Sequence, residues 1–310
     1  MSSTSSASWP SPLRVTVVGA TGSVGTHVTN GLLSKGAALQ VTLLLRALPA
    51  GAPAAKAAAR ADFAKKGAKV VDIDVASASV AELAAALSGA HVLLSVVGAE
   101  LLLDGQLKLV QAAKQAGVRR ILPSEFGFNM AEVGRGSTVP VWDYKIDVQE
   151  AVKAAGLEYT FVETGLFGEY LLPFAGIDTA ARVITAPGGF DTRITLSPLA
   201  DVAAQLADLI VSGRGRNETV YFGTVNYSWA DLHAALERVS GQPWGKAVRS
   251  AADFEADAAA GKGGWVPNVS LIIIRGKGTN YPPQDTYAAK HGVKLGSFDD
   301  FLRNLLAAKK

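Results

Sequence analysis

Residues 14–25 read Arg-Val-Thr-Val-Val-Gly-Ala-Thr-Gly-Ser-Val-Gly, and the fold turns on this stretch. A β-branched run (Val15, Thr16, Val17, Val18) stops at Gly19, and Gly22 and Gly25 follow at three-residue spacing. An amphipathic segment then sets Val24, Val28, Leu32 and Leu33 on one helical face. Strand, glycine turn and helix start together are the context in which such glycines read as a dinucleotide-binding turn. Gly19 permits the tight turn, Gly22 lets the backbone approach a pyrophosphate, and Gly25 lets helix and strand pack closely. The phosphate charge would rest against free N–H groups at the helix N-terminus. Thr21, Ser23 and Val24 therefore join the three glycines as candidate cofactor contacts. The competing reading is an ordinary glycine-rich strand-to-helix turn.

The next strand, Gln40 to Leu45, ends in Arg46. A site for NAD places a carboxylate about twenty residues beyond the glycines, on the ribose 2′-OH. Here the position holds Arg46, and no acid appears until Asp62. A guanidinium can grip a 2′-phosphate through paired charge-assisted bonds and stack on adenine. Lys56 in the following loop adds a second positive charge. NADP(H) is therefore expected over NAD(H), against the plainer reading of an exposed arginine at a strand end.

Strand and helix patterns alternate through the first half. After an alanine-rich helix (about 54–66) come a strand at 69–74, a helix at 80–87 and a near-continuous apolar strand at 90–97. A helix at 103–116, a strand at 119–123, a helix at 143–155 and a strand at 158–163 follow. Such alternation predicts an α/β fold, a doubly wound parallel sheet of Rossmann type with right-handed crossovers. Beyond about residue 165 the rhythm changes. Segments 182–185 and 192–195 flank Pro187-Gly188-Gly189 and predict a hairpin. Helices near 200–211 and 229–239, a strand at 219–222 and a last helix at 298–306 complete the reading. The expected organisation is a tail over 1–12, a nucleotide-binding domain over 13–165 and a smaller C-terminal α+β substrate-binding region over 166–310, forming one compact unit.

Composition removes whole classes of chemistry. There are no cysteines, which excludes disulfides, thiol nucleophiles and cysteine-ligated metal. The four histidines (His27, His91, His233, His291) lie far apart and read as surface or packing residues, so no metal site is expected. A formal charge of +3 is mild, and no basic run interleaves with aromatics, which argues against nucleic acid. No stretch reaches the length of a membrane span. The first twelve residues lack the pattern of an export signal, so the three Asn-x-Ser/Thr matches (Asn217, Asn226, Asn268) read as chance. A soluble, cytoplasmic protein is expected, and a homodimer is compatible with it.

Ligands of an open parallel sheet bind outside the carboxyl ends of its strands. Ser95, Val96, Val97 and Gly98 fall there on the adenine side, and Ser124, Glu125 and Phe126 on the nicotinamide side. Lys145, on the face of its helix shared with Val148 and Val152, is the best catalytic candidate. A buried ammonium near a nicotinamide can bind ribose hydroxyls and polarise a carbonyl or phenolic oxygen, and with a lowered pKa it can move a proton. The alternative is a surface pairing with Gln149 or Glu150. No tyrosine stands four residues before a lysine, so the usual tyrosine acid of short-chain dehydrogenases is missing. Gly-x-Ser-x-Gly is also absent.

Taken together, Gly19-Ala-Thr-Gly-Ser-Val-Gly25, Arg46, Ser95-Val-Val-Gly98, Pro123-Ser-Glu-Phe-Gly127, Lys145 and Gly156 to Val162 resemble the isoflavone reductase-like branch of atypical short-chain dehydrogenases, in the wider NmrA-like group. Residues 195–203 resemble its strand-then-helix element. The resemblance implies an NADPH-dependent reductase that delivers a hydride to a phenolic or conjugated substrate. It places the family's lysine on Lys145, which binds cofactor and assists proton transfer, and the 2′-phosphate contact on Arg46 with Lys56. Phe126 and the Gly165-Leu-Phe167 turn would line the nicotinamide and the pocket. Plant members carry Asn-Phe-Phe where this chain has Gly165-Leu166-Phe167, and the C-terminal region, with Trp229, Trp244 and Trp265, also differs. The pattern is closer to fungal or bacterial relatives, so a plant substrate does not transfer. A second expectation within the group is a nucleotide sensor that binds NADP and a protein partner without turnover.

Overall fold

The computed structural model describes residues 9–49, 51–136, 140–174 and 176–308. Of the tail expected over 1–12, residues 1–8 lie outside the described residues. Trp9 is packed, its ring 4.7 Å from the guanidinium of Arg119 and 4.8 Å from that of Arg120.

The first half alternates as expected: β1 (Leu13–Val18), α1 (Ser23–Leu33), β2 (Leu39–Leu45), α2 (Ala54–Lys65), β3 (Lys69–Asp72), α3 (Val80–Ala86), β4 (Val92–Ser95), α4 (Asp104–Gln115) and β5 (Arg120–Leu122). Then come α5 (Met130–Val133), α6 (Pro140–Ala155), β6 (Glu158–Glu163), β7 (Leu166–Phe167), α7 (Leu171–Phe174), β8 (Ile177–Asp178), β9 (Val183–Pro187) and β10 (Arg193–Ser197). The remainder is α8 (Leu199–Ser212), β11 (Glu218–Tyr221), β12 (Val225–Ser228), α9 (Trp229–Ser240), β13 (Gly245–Arg249), α10 (Ala251–Ala259), α11 (Val266–Arg275), α12 (Tyr287–His291) and α13 (Phe298–Ala307). The chain divides into two compact units: Met1–Ser124, Asp147–Phe161 and Leu206–Thr219 form one, and Glu125–Ile146, Val162–Gln205 and Val220–Lys310 the other.

A seven-stranded sheet runs in the order β11-β6-β5-β4-β1-β2-β3. β1 pairs parallel with β2 on one side and β4 on the other, with Val15 opposite Val41 and Val92. The chain thus steps outward from β1 to β3, then crosses to β4. That reversal between β1 and β4 is the switch point at which a doubly wound sheet opens a crevice. Its residues explain its burial. β4 is buried along its whole length, as a central parallel strand covered on both faces must be. Leu83 and Leu87 ahead of it, Leu93 within it, Leu109 from α4, and Val148 and Val152 from α6 are wholly buried in one core. α1 turns Gly25, Val28, Thr29 and Leu32 inward. α2, rich in alanine, buries only Phe63.

The second unit holds two three-stranded sheets, β12-β10-β7 and β13-β9-β8. The hairpin predicted around Pro187-Gly188-Gly189 is not formed. β9 pairs antiparallel with β8 and parallel with β13. β10 pairs antiparallel with β12 and parallel with β7. Both glycines take positive φ (75° and 139°), so the chain does turn. Yet the Gly188 N–H donates to the Arg249 carbonyl at 2.9 Å, across to β13. Distant pairing overrides the local turn signal, because each strand finds its own buried apolar neighbours, with Ile184 and Ile194 in one core with Trp229 and Leu302.

Candidate functional site

β1 delivers the chain to Gly19, whose φ is +84°. A Cβ there would stand 2.1 Å from the Val96 carbonyl oxygen, so the turn passes tightly beside the end of β4. A Cβ on Gly25 would likewise meet the Gly19 carbonyl oxygen at 2.1 Å. Gly22 is different. Its φ is −75°, and the nearest atom to its would-be Cβ is 3.4 Å away, an ordinary contact. Two glycines are therefore demanded by packing, and the middle one is left for what approaches from outside. Gly22 caps α1 with no side-chain bond, and the first turn holds no acidic residue. Such a helix start keeps its N–H groups and positive field for an anion.

Gly19, Thr21, Gly22, Arg46, Lys56, Val96, Val97 and Gly98 line one cleft at the switch point. Arg46 and Lys56 are both exposed on it. Ser23, Val24 and Gly25 form the adjoining helix start, and Ser95 lies buried at the end of β4. Ser124 supports the wall: its hydroxyl donates to the Val97 carbonyl at 2.9 Å, and its N–H donates to Gln106 Oε1 at 2.6 Å. Sequence reasoning missed Asp74, Val75 and Ala76, Glu100 and Leu101, which also line it. The signal was available, since Asp74 to Ala76 follow β3 as Arg46 follows β2. An open glycine turn, a bare helix start and two cations fit a phosphorylated dinucleotide.

In the second unit, Lys145 is half-buried, and its ammonium donates to the Glu125 carbonyl. Gly127 makes room for it: a Cβ there would lie 3.2 Å from Lys145 Nζ. Between them Phe126 holds a φ of +39°, uncommon for a bulky residue and a form of strain that gathers at functional sites. Glu163, at the end of β6, is completely buried. Burial above all, then the charge of Glu125, pushes its carboxyl well above the usual carboxylate range; Lys145 opposes this and Glu132 adds to it. Tyr281 is buried beside them, its hydroxyl 3.1 Å from the carbonyls of both Gly127 and Gly278. Burial, reinforced by Glu163, holds that phenol protonated. Gly165 has a φ of +66°, and a Cβ on it would stand 2.4 Å from the Thr195 carbonyl oxygen, so it serves close packing on β10. Phe167 is buried, edge-on to Tyr170. Glu163 and Tyr281 were not found from the sequence.

The same unit contains a cavity of about 540 Å³ walled by Val133, Trp142, Leu271 and Ile272, with Arg135, Arg275, Asn268 and Glu255 among its polar lining. Trp142 precedes Lys145 by three residues on α6, which places the two on neighbouring positions of one helix face. Among the described residues no cluster of three or more metal-ligating side chains occurs, and no helix is long and apolar enough to cross a membrane.

The model of the NmrA-like family matches residues 12–243. An "NmrA-like family domain-containing oxidoreductase" of Gibberella moniliformis is 27% identical over 236 residues, covering 74% of this chain and 77% of its own length. The "Isoflavone reductase homolog IRL" of Zea mays is 31% identical over 214 residues, 67% of each chain. Among solved structures, that of AtPrR2 with NADP+ and (+)pinoresinol superposes with a TM-score of 0.81 at 23% identity, covering 96% of this chain and all of that one.

Proposed function

This chain belongs to the NmrA-like family, and on that footing we propose that it is an NADPH-dependent reductase of a small aromatic or conjugated substrate. The observation that carries the reading is the cleft of the first unit, where an open glycine turn at a helix start shares one wall with Arg46 and Lys56. A pyrophosphate suits the turn, because backbone N–H groups and the helix field meet it without desolvating a side chain. Arg46 offers a 2′-phosphate paired charge-assisted bonds, and Lys56 adds a point charge. When bound, the reduced nicotinamide supplies the hydride. Lys145 supplies the rest. Its ammonium stabilises negative charge developing on an acceptor oxygen and holds a proton at Nζ for it. With no tyrosine four residues before it, the lysine carries the acid role alone. The Glu125 carbonyl fixes the amine, and the turn through Phe126 holds that carbonyl in place.

The cavity beside Trp142 is of the size that takes one small ligand. Its indole wall suits an aromatic ring. The reductase names of the relatives support the reaction class.

Lys145→Ala tests the reading through NADPH oxidation with a panel of phenolics, enones and quinones, alongside NADPH binding by fluorescence. Turnover is expected to fall roughly 10²–10⁴-fold, the usual share of a positioned acid, while NADPH still binds. Unchanged turnover would remove Lys145 from the mechanism. A wild-type protein that binds NADPH yet oxidises it with no member of the panel would overturn the reductase reading.

A further inference from the structure

Helix α11 presents one stripe to the cavity of the second unit. Asn268, Leu271, Ile272 and Arg275 all line it, and their spacing along the chain puts them on one helical face. Val269, Ser270 and Ile273, on the rest of the helix, are buried, so packing fixes the stripe in place. It runs polar, apolar, apolar, polar over about 10 Å of helix axis. On α10, Glu255, Ala258 and Ala259 line the cavity from a second helical face. The two alanines leave space there that larger side chains would fill. Trp142 adds its indole to the same lining.

The charges of this lining are not balanced. Among the described residues it carries Arg135 and Arg275 against Glu255 alone, an excess of one positive charge. Arg275 closes the stripe in the last turn of α11, where the helix field favours a cation. It makes no ion pair with any described residue, Glu255 included. Two other acids of α10 do not neutralise it: Asp253 accepts from Ser250 at the helix start, and Asp257 pairs with Arg249. A neutral ligand filling the cavity would cover a guanidinium without replacing the water it loses, which costs free energy. A carboxylate replaces that water with paired charge-assisted bonds, in the planar geometry a guanidinium offers. Apolar walls with a charged group at one end fix both the identity and the direction of a small ligand.

We propose that the cavity takes an aromatic or conjugated ligand that bears a carboxylate, with its ring on the Trp142 indole and its carboxylate on Arg275. Arg275 is the group that selects the ligand, and Arg135 adds to the attraction from the same lining. The proposal deepens the reductase reading and rests on it in one respect, that the ligand so held is the substrate. Trp142 stands one turn before Lys145 on α6, so a ring seated on the indole lies about one helical turn from the lysine.

The test uses the full-length protein, NADPH and two aromatic enones, 4-carboxybenzylideneacetone and its methyl ester, which differ in the charge at one end. A saturated acid that accepts no hydride, 3-phenylpropionate, and its neutral amide are titrated calorimetrically with NADP+ present, so that binding is read apart from turnover. The wild type should bind the acid on the order of tenfold more tightly than the amide, and its KM should be lower for the acid enone than for the ester. Arg275→Ala changes an exposed side chain. It should abolish both preferences while leaving amide affinity and kcat with the ester unchanged, which a merely structural role would not do. Arg275→Lys, which keeps the charge, should restore part of the affinity for the acid. Equal wild-type affinity for acid and amide overturns the proposal, and so does an Arg275→Ala variant that still prefers the acid. In either case reduction of the ester leaves the reductase reading standing. If 3-phenylpropionate binds through Arg275 but no enone, phenolic or quinone is reduced, the carboxylate site stands and the reductase reading falls.

Discussion

Arg46 ends β2 with its guanidinium exposed on the cleft wall, so its loss removes charge without opening a cavity. Arg46→Ala is expected to weaken NADPH binding by roughly 1.5–3 kcal/mol, the scale of a hydrogen bond to a charged group, and to leave NADH binding nearly unchanged. Isothermal titration with both nucleotides checks this; equal losses would refute the 2′-phosphate role. The residue was readable because its meaning depends on a count along the chain, about twenty positions beyond a glycine turn. Lys145 was readable for a similar reason, by its place on a helix face. Glu163 was not. In sequence it is an acid closing a strand, a position that is commonly solvated. Only the fold reveals that Phe126, Thr164 and Phe222 close around it, and that Tyr281, more than a hundred residues later, packs beside it. Asp74 at the cleft was missed for a milder reason: it follows β3 as Arg46 follows β2, and that parallel was not drawn.

The glycine turn joining β1 to α1 separates structural from functional demand within one element. Gly25→Ala would drive a Cβ to 2.1 Å from the Gly19 carbonyl oxygen, so turn and helix must move apart. A loss of about 1–3 kcal/mol, as for overpacked cores, is expected in chemical denaturation, with NADPH binding lost as well. Gly22→Ala meets nothing closer than 3.4 Å, and its φ of −75° suits alanine. That variant should keep wild-type stability and lose NADPH affinity alone, because its methyl group occupies the approach of the pyrophosphate. If both variants lose stability equally, Gly22 is a packing residue and its assigned purpose fails. Elements of the first half were legible because each strand and helix buries a face whose period is written locally, as with the wholly buried β4. The second unit was less so. β9 and β10 carried a convincing turn between them, yet pair with β8, β13, β7 and β12 instead. Helix α10 went unread because it buries only Phe254. Helix α11, with Val269 and Leu271 to Ile273 buried, went unread as well.

Across the whole molecule, the carboxyls pull the pH dependence of stability in opposite directions. Hydrogen bonds from Ser79, Ser228 and Ser250 at helix starts lower the pKa of Glu82, Asp231 and Asp253, and the bond to Arg238 lowers that of Asp299. Each of these groups favours the folded state above its unfolded pKa, and that contribution is lost as pH falls through the lowered folded value. Glu163 acts with the reverse sign. Its folded pKa lies well above the ordinary value of 4.5, so between those two limits the folded state holds a proton that the unfolded chain has released. Stability then falls as pH rises through that window, by about 1.4 kcal/mol per pH unit for one such group. Glu163→Gln has no proton to release in either state. Its stability relative to wild type should therefore climb steadily from about pH 4.5 and level off once the buried acid finally ionises. Denaturant titrations of both proteins across that range measure the difference directly. Parallel curves would mean that Glu163 is a carboxylate in the folded protein over the same pH range as in the unfolded chain, and the reversed sign assigned to it would fail.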